Sequence, residues 1–247
     1  YGKPVKAGMK GESMNILAIG CHPDDVEINC VGTLIRCVQR GDNVTVCHFC
    51  NGNMGHEVIM PDELRLIRAA EAEKAGSLAG IKVINGDIGD LLANGYDMEQ
   101  RNKAIKIIRD ADPDLIITHA PTDYMCDHVA VSKLVFDACF VASCPHYMPE
   151  LGKASKVTPL YYMDNLGGHG FVPTEYVDVT DVMELKMEML ECHESQLKWM
   201  REHDNIDFAD FVRTIAKYRG FQCGVAYAEA FTQAFVYPKV QPRRLLP

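Results

Sequence analysis

Two short segments concentrate side chains able to bind a cation and move a proton. One is Cys21-His22-Pro23-Asp24-Asp25-Val26-Glu27, and the other runs from His119 to His128 as His-Ala-Pro-Thr-Asp-Tyr-Met-Cys-Asp-His. Two histidines and a carboxylate, His22, Asp25 and His128, suit zinc with a fourth position open to water. The same set also suits another divalent first-row ion. Two of these ligands lie in one segment and the third far along the chain, so the site closes only on folding. Asp24 is then placed to act as general base on a water that the metal activates. Asp127, beside His128, is placed to orient a histidine from behind. A plainer account competes. Asp24 is a suitable helix cap, and Asp25 and Glu27 complement a helix N-terminus. His128 alone reads as a hydrogen-bonded histidine at a helix start.

The elements that must position these segments follow from apolar runs and their punctuation. Strands are expected at 15–20, 44–49, 83–84 and 115–118, with later ones at 160–163 and 176–179. Helices are expected at 26–39, 61–79, 98–110, 128–142, 181–198 and 208–219. The 61–79 helix has Pro61 at its start and Gly80 past its end, the usual asymmetry. Strands alternating with helices predict βαβ units, hence an α/β fold with a mostly parallel sheet and helices on both faces. Such sheets bind ligands beyond the carboxyl ends of their strands. The 15–20 strand leads into the first polar segment and the 115–118 strand into the second. No internal repeat or linker-like stretch divides the chain. Residues 1–13 read as a flexible tail, with Met9 or Met14 as candidate starts, ahead of a single domain at 14–247.

Composition narrows the function classes. The 247 residues are 47% hydrophobic and carry a formal charge of −9, a poor match to nucleic acid or an anionic membrane. No apolar run has the roughly 20 residues of a membrane helix, and the N-terminus lacks a signal-peptide core. Ten cysteines without a secretory signal point to buried thiols in a reducing cytoplasm. Cys47-His48-Phe49-Cys50 has no second CxxC to complete a four-thiolate site, and residues three apart in a strand face opposite sides. The chain lacks a dinucleotide-binding glycine fingerprint, a P-loop and a serine-esterase motif. Met183, Met187 and Met189 read as core packing. Gly167-Gly168-His169-Gly170 suggests a loop that brings His169 to a substrate cleft, with a plain surface loop as the competing reading.

The sequence Ala18-Ile19-Gly20-Cys21-His22-Pro23-Asp24-Asp25-Val26-Glu27 resembles the (A)HPDDxE signature of the PIG-L / LmbE-like deacetylases. Thr118, His119, Asp123, Tyr124, Asp127 and His128 match that family's second element. Weaker likeness covers Asn51–Gly55, Arg68–Glu71, Cys192–Gln196 and Tyr227–Phe231. The resemblance implies a Rossmann-like fold and zinc-dependent hydrolysis of an N-acetyl group, commonly on an N-acetylglucosamine conjugate. It implies His22, Asp25 and His128 as metal ligands, Asp24 as general base, Asp127 behind them and Arg68 as a substrate-binding residue. Taken alone, Arg68 would read as a solvated helix arginine. Many members carry a histidine where this chain has Met125, and a thioether neither donates a hydrogen bond nor transfers a proton. His56, His119, His169 and His193 are the candidate replacements. A metal-dependent hydratase acting on an unsaturated acid and a non-catalytic metal- or sugar-binding module stay open. The expected partner is a small amino-sugar conjugate, and homo-oligomer formation is compatible with these features.

Overall fold

The structure, a computed structural model, describes residues 13–240 and 244–247. All of the expected tail except Ser13 therefore lies outside the described residues.

Among the described residues there are seven strands, β1 (Asn15–Gly20), β2 (Asn43–Cys50), β3 (Lys82–Ile88), β4 (Leu115–His119), β5 (Leu160–Met163), β6 (Glu175–Asp178) and β7 (Ala228–Gln233). They form one sheet in the order β3-β2-β1-β4-β5-β7-β6. The first five strands in that order pair in parallel, while β7 runs antiparallel to both β5 and β6. The described helices are α1 (Asp25–Asn29), α2 (Val31–Arg40), α3 (Pro61–Leu78), α4 (Met98–Ala111), α5 (Cys126–Val141), α6 (Met183–Glu191), α7 (Glu194–His203) and α8 (Phe208–Cys223).

Strand alternation divides the core into two layers. On β1, Ile16 and Ala18 pack with Val26, Val31, Leu34 and Ala75 on one face. Leu17 and Ile19 pack with Ile105, Ile108, Val131 and Leu134 on the other. Successive side chains of a strand point to opposite faces, so a strand buried on both sides must be apolar throughout. Met183 and Met187 join Phe208 and Val212 in a smaller cluster between α6 and α8, and Met189 enters the first layer, as expected for packing residues.

Three departures from the sequence reading have local causes. The expected helix at 26–39 is broken at Cys30, whose φ of −150° is not helical, so α1 is a single short turn. The helix expected at 181–198 is interrupted at His193, where φ is −82° and ψ 57°. Strand β7, Ala-Glu-Ala-Phe-Thr-Gln, was not expected. Its alanines and Glu229 have weak strand propensity, and burial against β5 and β6 overrides it.

The chain runs outward from β1 through β2 to β3, then returns to β4 on the other side of β1. The β1/β4 junction is therefore the topological switch point, where open α/β sheets bind ligands.

Candidate active site

The two polar segments leave β1 and β4 at that junction. After β1 the chain turns sharply, and Asp24 takes φ 130°, outside the regions open to most side chains. Its carbonyl accepts the Ile28 amide at 2.9 Å, yet its side chain makes no cap hydrogen bond. A cap that holds no amide is not a cap, so the helix-capping account of Asp24 fails. Non-glycine strain of this kind persists only where the surroundings enforce it, and it concentrates at functional sites.

Asp25 is the hub. Its Oδ2 accepts the His22 amide at 2.6 Å and lies 3.5 Å from His22 Nδ1. Its Oδ1 lies 3.3 Å from His128 Nε2. One candidate ligand atom from each of His22, Asp25 and His128 falls within a 4.8 Å span, and all three residues are buried. Both ring nitrogens of His128 are buried without a hydrogen-bond partner. Burial opposes charge on His128, but Asp25 and Asp123 outweigh it and push the imidazole up to about 10. His22 is likewise held well above its ordinary value against burial, through Asp127 and Asp25. The pocket thus stabilises positive charge beside the unpartnered nitrogens of His128, which is the environment a divalent cation fits.

His119 sits behind these residues. Its ring stacks on His128 at 4.1 Å, but its Nε2 accepts the Cys21 amide at 2.9 Å, so that lone pair is already engaged. Asp127 faces His22 rather than its neighbour His128. Its Oδ2 lies 3.3 Å from His22 Nε2 and accepts the Leu91 amide at 2.7 Å. The carboxylate beside His128 is Asp123, 3.2 Å from Nδ1. Asp123 lies in the loop after β4 and Asp127 in the first turn of α5, and each carboxylate meets a different ring.

A cavity of about 230 Å³ opens over this cluster. Asp24 lies in its wall, and burial pushes the carboxyl up to about 6 while Arg68 pulls the other way. Arg68 is buried, not solvated as its helix position alone would suggest. Its Nη1 donates to the Gly52 carbonyl at 3.0 Å, Nη2 contacts Gln196 Oε1, and Nη2 lies 3.6 Å from Asp24 Oδ2. Gly52 is required here. Its φ is +74°, and a Cβ would lie 2.5 Å from Arg68 Cδ.

Met125 lines the cavity, and His22 and His128 are the histidines that do so. None of the candidate replacements reaches the wall. His56 accepts the Val58 and Ile59 amides, and His193 is fully buried against Glu27. His169 is exposed, with Leu166 of the same loop at the cavity instead. Sequence reasoning assigned no role to Asp90, whose carboxylate accepts the Gly52 and Met54 amides and lines the cavity. It follows β3 as His22 follows β1, and loops at the carboxyl ends of parallel strands were the available signal.

The profile of the PIG-L family, GlcNAc-PI de-N-acetylase, matches residues 17–139, the span from β1 to α5 that supplies both polar segments. The chain belongs to this family. Diacetylchitobiose deacetylase of Thermococcus kodakarensis is 28% identical over 227 residues, covering 87% of this chain and 80% of that protein. The structure of N,N'-diacetylchitobiose deacetylase from Pyrococcus horikoshii superposes with a TM-score of 0.75 at 26% identity, over 88% of this chain and 82% of that one. The PIG-L fold is broader than one reaction. The 4-carboxy-2-hydroxymuconate hydratase of Pseudomonas putida shares it, with a TM-score of 0.78 at 20% identity over 94% of this chain and all of that one. Among the described residues no helix is long and apolar enough to cross a membrane.

Proposed function

We propose that this PIG-L member is a metal-dependent deacetylase that removes the N-acetyl group of an N-acetylglucosamine-type sugar or conjugate. The observation that carries the reading is the convergence of His22, Asp25 and His128 beneath a cavity whose wall holds Asp24 free of any capping bond. His22, Asp25 and His128 would hold the metal, and zinc suits the donor set. When bound, the metal supplies Lewis-acid polarisation of the acyl oxygen and of water.

The side chains supply the proton traffic. Asp24 takes a proton from the attacking water on a carboxylate oxygen and returns it to the departing amine nitrogen. Met125 can do neither, so one carboxylate performs both transfers. Arg68, fixed by Gly52 and Gln196, holds Asp24 toward the cavity and offers N–H donors to a sugar hydroxyl or the acyl oxygen. Asp123 and Asp127 orient the two histidines from behind.

The test is a panel assay with the zinc-loaded chain. Diacetylchitobiose, N-acetylglucosamine and its glycosides should release acetate and a primary amine. Inertness toward all of them, with hydration of an unsaturated dicarboxylic acid, would replace this reading with the hydratase.

A further inference from the structure

Beside the proposed catalytic cluster lies a second group of buried donors, including two thiols that the deacetylase reading does not use. The strand pairing of β2 with β3 slips between His48 and Cys50. This irregularity defeats the expected alternation, and Cys47 and Cys50 bury in the same layer, together with Cys21. Cys50 Sγ then lies 3.5 Å from Cys21 Sγ. Cys21 Sγ lies 3.6 Å from His22 Nε2, and His22 Nε2 lies 3.3 Å from Asp127 Oδ2. All four ligand atoms fall within 4.8 Å of one another, and all four residues are buried.

These separations match three of the six edges of a coordination tetrahedron. Bond lengths to zinc of about 2.3 Å for sulfur and 2.0–2.1 Å for nitrogen or oxygen give edges of roughly 3.8 Å for S···S, 3.5 Å for S···N and 3.3 Å for N···O. Each of the three edges above lies within a few tenths of an ångström of its ideal. The imidazole of His22 also presents a different nitrogen to each cluster, Nδ1 toward Asp25 and Nε2 toward the thiols and Asp127. Asp127 is already fixed by the Leu91 amide. Of the four, His22 also lines the cavity.

We propose that Cys21, His22, Cys50 and Asp127 form a second metal site, selective for a thiophilic divalent ion such as zinc or cadmium and joined to the catalytic cluster through the His22 ring. Two thiolates, an imidazole and a carboxylate suit zinc and softer ions and exclude magnesium or calcium, which take oxygen ligands. The proposal rests on the reading above for His22 and Asp127, which it shares, but its readout is sulfur–metal bonding rather than turnover, so either can fail without the other.

The experiment is a Co²⁺ titration of the metal-free chain under reducing conditions, followed by absorption and by metal content after gel filtration. It is run in a Cys126→Ser/Cys223→Ser background that removes the two exposed thiols. Two bound equivalents are expected, one of them accompanied by sulfur-to-cobalt charge-transfer absorption in the near ultraviolet. Cys50→Ser should lose that absorption and one equivalent, and Cys47→Ser should keep both. Cys21→Ala serves as a second variant if Cys50→Ser does not fold, with folding checked by circular dichroism. One equivalent without charge-transfer absorption in the parent background would overturn the site by itself. Equal absorption in Cys50→Ser and the parent would do so as well.

Discussion

Glu229 joins three elements that support the site from behind, and its removal has a consequence that can be worked out. The carboxylate stands on β7, buried to 3% exposure. Oε1 accepts the Gly32 amide at 2.9 Å and Lys186 Nζ at 2.6 Å. Oε2 accepts the Thr33 amide at 2.7 Å and the Thr33 hydroxyl at 2.6 Å. Gly32 and Thr33 open α2, where amides have no partner within the helix, so Glu229 caps that helix from a distant strand. Lys186, at 1% exposure, would keep only the Ile28 carbonyl if Glu229 were lost. Stranding a buried partner of an ion pair costs about 3–5 kcal/mol. The orphaned amides push Glu229→Ala toward the upper end, a large share of the roughly 5–15 kcal/mol that holds a typical domain folded. Lys186→Met leaves Glu229 with its three other donors and should cost less. In Glu229→Ala/Lys186→Met the buried ammonium is gone, so the double variant should be more stable than Glu229→Ala alone. Urea unfolding of the four proteins, compared at constant m-value, measures this. A loss below about 1 kcal/mol for Glu229→Ala, or strict additivity in the double variant, would refute the reasoning.

Other outcomes follow from the cavity. His128→Ala and His22→Ala should each lose zinc from the catalytic cluster, read as metal content after dialysis; full retention in both would remove them as ligands. Gly52→Ala places a Cβ on Arg68 in a backbone conformation that disfavours it, costing about 1–2 kcal/mol of stability. Thermal melts should register that cost, and KM for the sugar should rise as Arg68 is displaced. Met125→His should keep metal content and at least wild-type acetate release, because Asp24 already covers the proton transfers; a tenfold loss, about 1.4 kcal/mol in the barrier, would contradict an accommodating wall there. His56→Ala and His169→Ala should turn over near the wild-type rate, since neither side chain reaches the cavity wall.

The parallel part of the sheet was legible because β1 and β4 are buried on both faces, and only uninterrupted apolar runs satisfy that. The site segments were legible for a related reason. Polar residues directly after such runs lie at the carboxyl edge whatever the helices do. What escaped the sequence depends on tertiary context. Ala228–Gln233 is a strand because β5 and β6 bracket it, not because its residues favour one. The division of labour between Asp123 and Asp127 depends on which ring each carboxylate meets, and sequence position does not say which histidine Asp127 faces. Cys50 turns toward Cys21 through an irregularity in the β2–β3 pairing that no residue type announces. Arg68 is buried because the loop after β2 folds over its helix, a contact between segments that carry no periodic signal.

The central claim is that two adjacent aspartates do different work, Asp25 as ligand and Asp24 as proton carrier. Asp24→Asn tests it most directly, with zinc content and acetate release measured on the same preparation. The account predicts that zinc is retained at the parent level while turnover falls by roughly 10²–10⁴, the range for a positioned general base. Turnover at the parent rate, or zinc lost along with activity, would contradict it.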